Sequence, residues 1–378
     1  MNCVFVCSSL ESGRDAVGDY CRGLAAGLKN LGHQTALVGL NDLFVAATEE
    51  SRQPVPMLRL AHNEAWPTRV KRAKQFLDKC RAEWISFQFV SYGFHPKGLA
   101  HRLPRICAPL AAGRKVHVMF HEIWIGAKTN APWKERVVGA VQKHMILHWL
   151  RDLNPRVVHA TNAAYAGLLR AEGVHVLDLP LFGNIAPSRA PDFQEEIYRR
   201  AGVTRETRNR FWLFGIFGGV PGDWKLEPLL ERLWRLAKTE GKKPVLIAFG
   251  KREAAGEKVM AGLAEKFDGR FPVVLFGSHS EERVSEFLQT IDFGIAAAPL
   301  GLLGKSSAAA AMLEHGLPLI VDRNDVLFRV PIAPEIHPRV ILPDAQFERR
   351  LVAATKTEPE TSRAQIVSRF VEDLQNAG

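Results

Sequence analysis

The chain has 378 residues, 47% of them hydrophobic and 24% charged, with 50 Lys and Arg against 40 Asp and Glu for a formal charge of +10. At roughly 100–200 residues per domain that length predicts two domains of similar size, and the composition excludes a disordered, collagen-like or disulfide-scaffold protein. The positive balance favours anionic partners, while no RNA-binding aromatic motif, zinc finger or basic tail points to nucleic acid.

The five cysteines, Cys3, Cys7, Cys21, Cys80 and Cys107, lack the paired short spacings of a zinc site and fit a reducing compartment. The opening MNCVFVC lacks the basic segment of a secretory signal. Apolar stretches such as Ile295 to Leu303 fall short of the about 20 residues that a membrane span needs. A cytoplasmic protein is expected, soluble or peripheral at the inner face of the membrane.

In chain order, a strand over Cys3 to Cys7 leads through a polar turn into a helix over Asp19 to Leu31, stopped by Gly32. QTALVGL, WISFQF, RKVHVMF, PRVVHAT and GVHVLDL read as further strands, with helices over Pro67 to Arg81 and Trp133 to Leu150. Around Leu181 to Pro191 three prolines break the pattern, and a domain boundary is placed there. The alternation then resumes with FWLFGIF, KPVLIAFG, FPVVLFG, DFGIAAA and LPLIVD as strands. Helices are expected over Leu226 to Lys238, Gly256 to Phe267, Ser280 to Thr290 and Ser306 to His315. Short apolar strands alternating with helices predict α/β architecture: two Rossmann-like doubly wound parallel-sheet domains, 1–184 and 185–360, facing a central ligand cleft, with a terminal helix over 361–378.

Three turns between strand and helix have the amides and helix-end charge that attract an anion. The first holds Gly13 and Gly18 and does not match G-x-G-x-x-G; a plain tight turn capped by Asp19 explains it equally well. The second, FGIFGGVPGDWK, places Gly218 and Gly219 ahead of Lys225. In the third, Gly304, Lys305, Ser306 and Ser307 open an alanine-rich helix, and Pro299 stands where a P-loop requires glycine.

His121 and Glu122 follow the strand RKVHVMF, at the end where the cleft is expected. The histidine there could hydrogen-bond a sugar hydroxyl or stabilise developing charge, with Glu122 orienting it. His117 and His121 lack the helical spacing and third ligand of a zinc site. In the segment Trp66 to Trp84, Val70, Ala73, Leu77, Cys80 and Trp84 share one face, and Arg69, Arg72, Lys74, Lys79 and Arg81 fall outside it. Such a basic amphipathic helix suits an anionic membrane surface, although an ordinary solvated face is the simpler reading.

Together, the first glycine turn, the HE pair, the FGG turn with Lys225 and KSSAAAAMLEHGLPLIV resemble the retaining glycosyltransferases of family 4, which have the GT-B fold. The opening AVGDYCRGLAAGLKNLGH is similar to that family's GGVG helix segment, with Asp15 and Ala16 in place of glycines. The resemblance implies a nucleotide-sugar donor, of UDP or GDP type, as cosubstrate with no further cofactor, and a terminal helix crossing back to the first domain. It implies diphosphate contacts from the first turn and from Lys225, a base contact from Gly277, Ser278 and His279, and His121 touching the transferred sugar. The turn from Gly304 to Ser307 would face diphosphate and sugar.

The family's two glutamates, seven residues apart, would fall at Leu303 and Ala311, both apolar here. Glu314, one helical turn on, is a substitute for the ribose contact, and Lys305 an added phosphate charge. The expected activity is sugar transfer, with retention, to a glycan or lipid-linked acceptor. With no D-x-D triplet, no metal is expected. Tyr92, Phe94 and His95 are candidate acceptor contacts. A non-catalytic nucleotide- or glycan-binding GT-B module and a nucleotide-sugar epimerase of the same fold remain as alternatives.

Overall fold

A computed structural model describes residues 1–52, 54–324 and 326–377. The chain divides into two units: Met1–Leu181 with Leu327–Ala333 and residues from Arg363 on, and Phe182–Val326 with Pro334–Ser362.

In the first unit, β1 (Asn2–Cys7) is buried from Cys3 to Cys7, as a strand covered on both faces must be. It is followed by α1 (Ala16–Asn30), β2 (Gln34–Asp42), the short strands β3 (Glu49–Ser51) and β4 (Met57–Ala61), α2 (Trp66–Lys79) and β5 (Trp84–Phe89). Then come α3 (Leu103–Ala111), β6 (Lys115–Phe120), α4 (Trp133–Leu153), β7 (Val157–Ala160), α5 (Ala163–Arg170) and β8 (Leu177–Asp178). The strand order is β3-β4-β2-β1-β5-β6-β7-β8, parallel except for the edge pair β3 and β4. Sheet growth therefore reverses between β1 and β5.

The second unit runs α6 (Pro191–Ala201), β9 (Phe211–Phe217), α7 (Glu227–Thr239), β10 (Lys243–Phe249), α8 (Ala254–Lys266), β11 (Val273–Leu275) and α9 (Glu281–Thr290). It continues with β12 (Phe293–Ile295), α10 (Ser307–Glu314), β13 (Leu319–Ile320), β14 (Val340–Ile341) and α11 (Phe347–Ala353). Its sheet, β11-β10-β9-β12-β13-β14, is wholly parallel and reverses between β9 and β12. The last helix, α12 (Arg363–Asn376), belongs to the first unit: Phe370 meets Phe5 of β1 at 5.7 Å between ring centres. A Cβ on Gly27 of α1 would lie 2.5 Å from Val367, so the glycine permits that packing.

Several elements depart from the sequence-based expectation. The helix expected from Asp19 begins at Ala16, because Asp15 is extended and its carboxylate accepts the Gly18 N–H at 2.7 Å, an N-cap one turn earlier. The proline-rich stretch does not remain a linker: Pro191 is in the first turn of α6, where its missing N–H costs nothing. The strands β3, β4 and β14 and the helices α3, α5 and α11 were not anticipated; α3 carries Pro104 and Pro109, which argue against a helix on propensity alone. Segment Leu327–Ala333 packs with the first unit, where Lys128 bridges Phe328 and the Thr129 N–H donates to Leu327 O at 2.9 Å.

Arg69 reverses its assignment to the outer face of α2. It is buried, donates to Leu40 O at 3.0 Å and Asn41 Oδ1 at 2.7 Å, and lies 3.6 Å from the centre of the Trp66 ring. These bonds from one guanidinium nitrogen and the stacking on Trp66 let a basic residue join the packed face, although its Nε is buried without a partner among the described residues. Among the described residues no helix is long and apolar enough to cross a membrane.

Candidate functional site

In a doubly wound sheet the ligand crevice lies beyond the strand C-terminal ends where growth reverses, which in the second unit is between β9 and β12. Gly218 follows β9 with φ of 92°, and its N–H donates to Phe249 O at 2.9 Å. Gly250, with φ of 117°, packs backbone to backbone on it: an added Cβ there would lie 3.2 Å from Gly218 N. On its other side Gly218 meets α10, since a Cβ on it would lie 3.5 Å from Ala308 Cβ. The glycine turn is thus held against the first turn of α10, while Gly219 is open.

Lys225 is exposed at the end of this loop. The loop is anchored by the buried Trp224, whose indole N–H donates to the Asp322 carboxylate at 3.1 Å. Beside Asp322, the buried guanidinium of Arg323 lies 3.5 Å from Asp223. Sequence reasoning found no arginine to accompany Lys225. Arg323 reaches the same loop from just beyond β13, and its signal in the sequence was the charged pair Asp322–Arg323 that closes the apolar run LPLIV.

Lys305 ends a short 3-10 turn, Leu300–Lys305, ahead of α10. The Ser306 hydroxyl accepts the Ala309 N–H at 3.2 Å, so that side chain caps the helix. Ser307 is the first helical residue and Gly304 is half-buried. In the loop after β11, Gly277 and Ser278 are exposed, and Gly277 O accepts from Gly250 N at 3.2 Å. The His279 ring stacks on Phe249 at 5.0 Å and touches Phe193 at 5.1 Å. Burial, with Arg283 second, lowers its pKa, so the ring is neutral at neutral pH.

The ribose contact proposed for Glu314 is not supported by its surroundings. Its buried carboxylate accepts from Gly183 N–H at 2.9 Å, from Ser362 N–H at 3.0 Å and from the Ser362 hydroxyl. These bonds fasten the two segments where the chain enters and leaves this unit. Ala311 is fully buried and Leu303 packs against the same core.

In the first unit the expected anion turn is already occupied by carboxylates. The Gly18 N–H is taken by Asp15, and Gly13 N–H, where φ is 71°, donates to Asp19 at 3.1 and 3.2 Å. Two acidic side chains on these amides repel a phosphate, which corrects the assignment of Gly13 and Gly18. The close approach allowed by Gly18 serves packing, since a Cβ would lie 2.8 Å from Ser9 O.

His121 sits directly beyond β6, buried, with Nε2 2.8 Å from Gln88 Oε1 and the Tyr20 ring edge-on at 5.2 Å. Glu122 beside it is half-buried. Phe94 and His95 line a cavity of about 240 Å³ with Trp66, His101 and Ile106. His95 also shapes its own loop, its Nδ1 accepting the Lys97 and Leu99 N–H groups at 3.2 Å each. Tyr92 is exposed and does not line that cavity. A larger concavity of about 730 Å³ beside α7 and Glu348 of α11 contains none of the candidate residues, and its Arg232 is already bonded to Glu348 at 2.8 Å.

No family model matches the chain, and no curated protein matches it. Among solved structures it is similar to HepE of Anabaena in complex with UDP, at 13% identity and a TM-score of 0.55, over 100% of this chain and 92% of that one. It is similar also to the UDP-forming α,α-trehalose-phosphate synthase of Burkholderia xenovorans in complex with glucose-6-phosphate, at 12% identity and TM-score 0.53, over 100% and 97%. A glycosyltransferase of Rickettsia africae matches at 12% and 0.52, over 100% and 89%. These likenesses give the fold, two Rossmann-like parallel-sheet units of the GT-B type.

Proposed function

We propose that the protein is a glycosyltransferase that moves a sugar from a nucleotide diphosphate donor to a glycan or lipid-linked acceptor. The observation that carries this reading is the glycine turn at Gly218 and Gly219, pressed against the first turn of α10 where the second sheet reverses. The turn and the helix N-terminus, with Lys225 and Lys305 on the segments that follow β9 and precede α10, would supply the chemistry that binds a diphosphate. The UDP named with HepE makes a uridine donor the first to try.

We assign the diphosphate to Lys225, Lys305, Gly304, Ser307 and the Gly218–Gly219 turn, with Arg323 as added positive charge, and the base to Gly277, Ser278 and His279. Negative charge grows on the leaving phosphate as the sugar departs, and the two lysines and helix-end amides would stabilise it. His121 and Glu122 are assigned to the sugar, and Tyr92, Phe94 and His95 to the acceptor. Retention follows if the departing phosphate accepts the acceptor's proton on the same face. The lysines supply the positive charge, so we read the chemistry as metal-independent. The basic helix α2 leaves an anionic membrane surface as a further partner.

A second reading is a donor-binding module without turnover. It is favoured by the apolar Leu303 and Ala311 and by the structural engagement of Glu314. Calorimetric titration with UDP and GDP, followed by donor turnover with glycan acceptors, tests both. Lys305→Ala should weaken UDP by roughly 10- to 100-fold, the loss of one hydrogen bond to a charged group at ~1.5–3 kcal/mol. UDP binding without turnover selects the module. No nucleotide binding refutes the donor site.

A further inference from the structure

A row of polar side chains lies inside the first sheet, and none of them belongs to the candidate site except the last. Asp373 on α12 is 2.9 Å from His159 Nε2. His159 Nδ1 is 2.9 Å from His117 Nε2, and His117 Nδ1 is 2.7 Å from the Ser86 hydroxyl. Gln88 Nε2 donates to Ser86 Oγ at 2.7 Å, and Gln88 Oε1 is 2.8 Å from His121 Nε2. Ser86, His117 and His159 are fully buried and Gln88 nearly so. The Phe370 ring packs edge-on against His117 at 5.1 Å and also contacts His159.

We propose that Asp373 is a positioning residue that, through this relay, decides which nitrogen of His121 carries the proton. Each bond in the row needs one donor and one acceptor. A carboxylate only accepts, so His159 donates from Nε2; taking each ring of the row to carry one proton makes His159 Nδ1 the acceptor. His117 must then donate from Nε2 and accept at Nδ1, the Ser86 O–H donates to it, and Ser86 Oγ accepts from the Gln88 amide. Gln88 is left with its carbonyl towards His121, which donates from Nε2. Burial, together with the neighbouring His159 and His121, lowers the His117 pKa well below its ordinary value, which keeps that ring singly protonated.

The consequence is directional: His121 holds its proton on Nε2, inside the relay, and Nδ1 is its unprotonated nitrogen. Any role of that ring towards a sugar rests on the function proposed above. The sequence hid this because the relay joins β5, β6, β7 and α12, up to 287 positions apart along the chain, as residue numbers 86 and 373 show.

The test is ring-nitrogen NMR on the full chain labelled with ¹⁵N-histidine, without nucleotide, so that a failed donor assay and a failed relay are separate results. The relay requires His117, His159 and His121 each to carry one proton, on Nε2. Ser86→Ala cuts the row in the middle: His121 should move to averaged tautomer shifts while His159 keeps its own. Asp373→Leu should release both, and Asp373→Asn, which retains an accepting oxygen, should restore them. A doubly protonated His159, an Nδ1–H tautomer at His121, or a His121 unaltered by both Ser86→Ala and Asp373→Leu would overturn the proposal.

Discussion

Replacing Glu314 by alanine would separate a structural carboxylate from a ligand-binding one. The substitution strips the acceptor from two backbone N–H groups, those of Gly183 and Ser362, and from the Ser362 hydroxyl. Leaving a buried donor unsatisfied costs ~1–3 kcal/mol. The hydroxyl can rotate to a new partner and the amides cannot, so a net loss of about 3 kcal/mol is expected. In hydrogen exchange followed by mass spectrometry, the peptides containing Gly183 and Ser362 should then exchange on the order of 100-fold faster, at about 1.4 kcal/mol per tenfold. Glu314→Gln retains one accepting oxygen and should lose about 1 kcal/mol. Both variants should bind UDP with wild-type affinity once corrected for the folded fraction. Unchanged exchange at both peptides with UDP binding weakened tenfold would refute the clasp and return Glu314 to the ribose.

Gly93→Ala would place a Cβ 2.4 Å from Ser8 Oγ and 2.6 Å from Ser8 Cβ; a loss of ~1–3 kcal/mol in urea denaturation is expected for such overpacking, and none would mean that the loop yields freely. Lys356, whose amine donates to Leu288 O at 2.7 Å, is held by burial down to a pKa of about 7 from 10.5. The unfolded chain therefore binds the extra proton between those values, so stability rises with pH across the window and the penalty is complete below about pH 7. Urea midpoints of wild type and Lys356→Met should differ in slope between about pH 7 and pH 9, the variant being flatter; parallel slopes would exclude the shift. UDP and UDP-glucose should bind within about threefold of one another by calorimetry, and a preference above tenfold, about 1.4 kcal/mol, would reveal a sugar contact of full strength.

The strands were legible wherever burial on both faces wrote a continuous apolar run, as in Cys3 to Cys7 and KPVLIAF. The two-residue edge strand Val340–Ile341 wrote no such run and was not legible. Two of the helices that were missed, α3 and α6, carry proline in the first turn within proline-rich stretches that composition reads as loops. The glycine turns were readable because Gly218 needs a positive φ. What satisfies each turn's amides was not, because Asp15 and Asp19 look alike in sequence whether they cap a helix or lie idle. Arg69, read as solvated, and Glu314, read as a ribose contact, fail for one shared reason: the distant groups that occupy a charged side chain are not visible until the fold is in place.

That same logic bears on the missing glutamates. Each sugar hydroxyl both donates and accepts, and only carboxylates and carbonyls can take its donated proton without offering one of their own. The start of α10 instead presents amide N–H groups, the Ser307 hydroxyl and the Lys305 ammonium, with Leu303 and Ala311 turned to the core. If the proposed donor binds here, such a surface favours its diphosphate, and the binding energy would fall on the part that every nucleotide sugar shares. Sugar selection, if the protein has any, would then rest on acceptors outside α10.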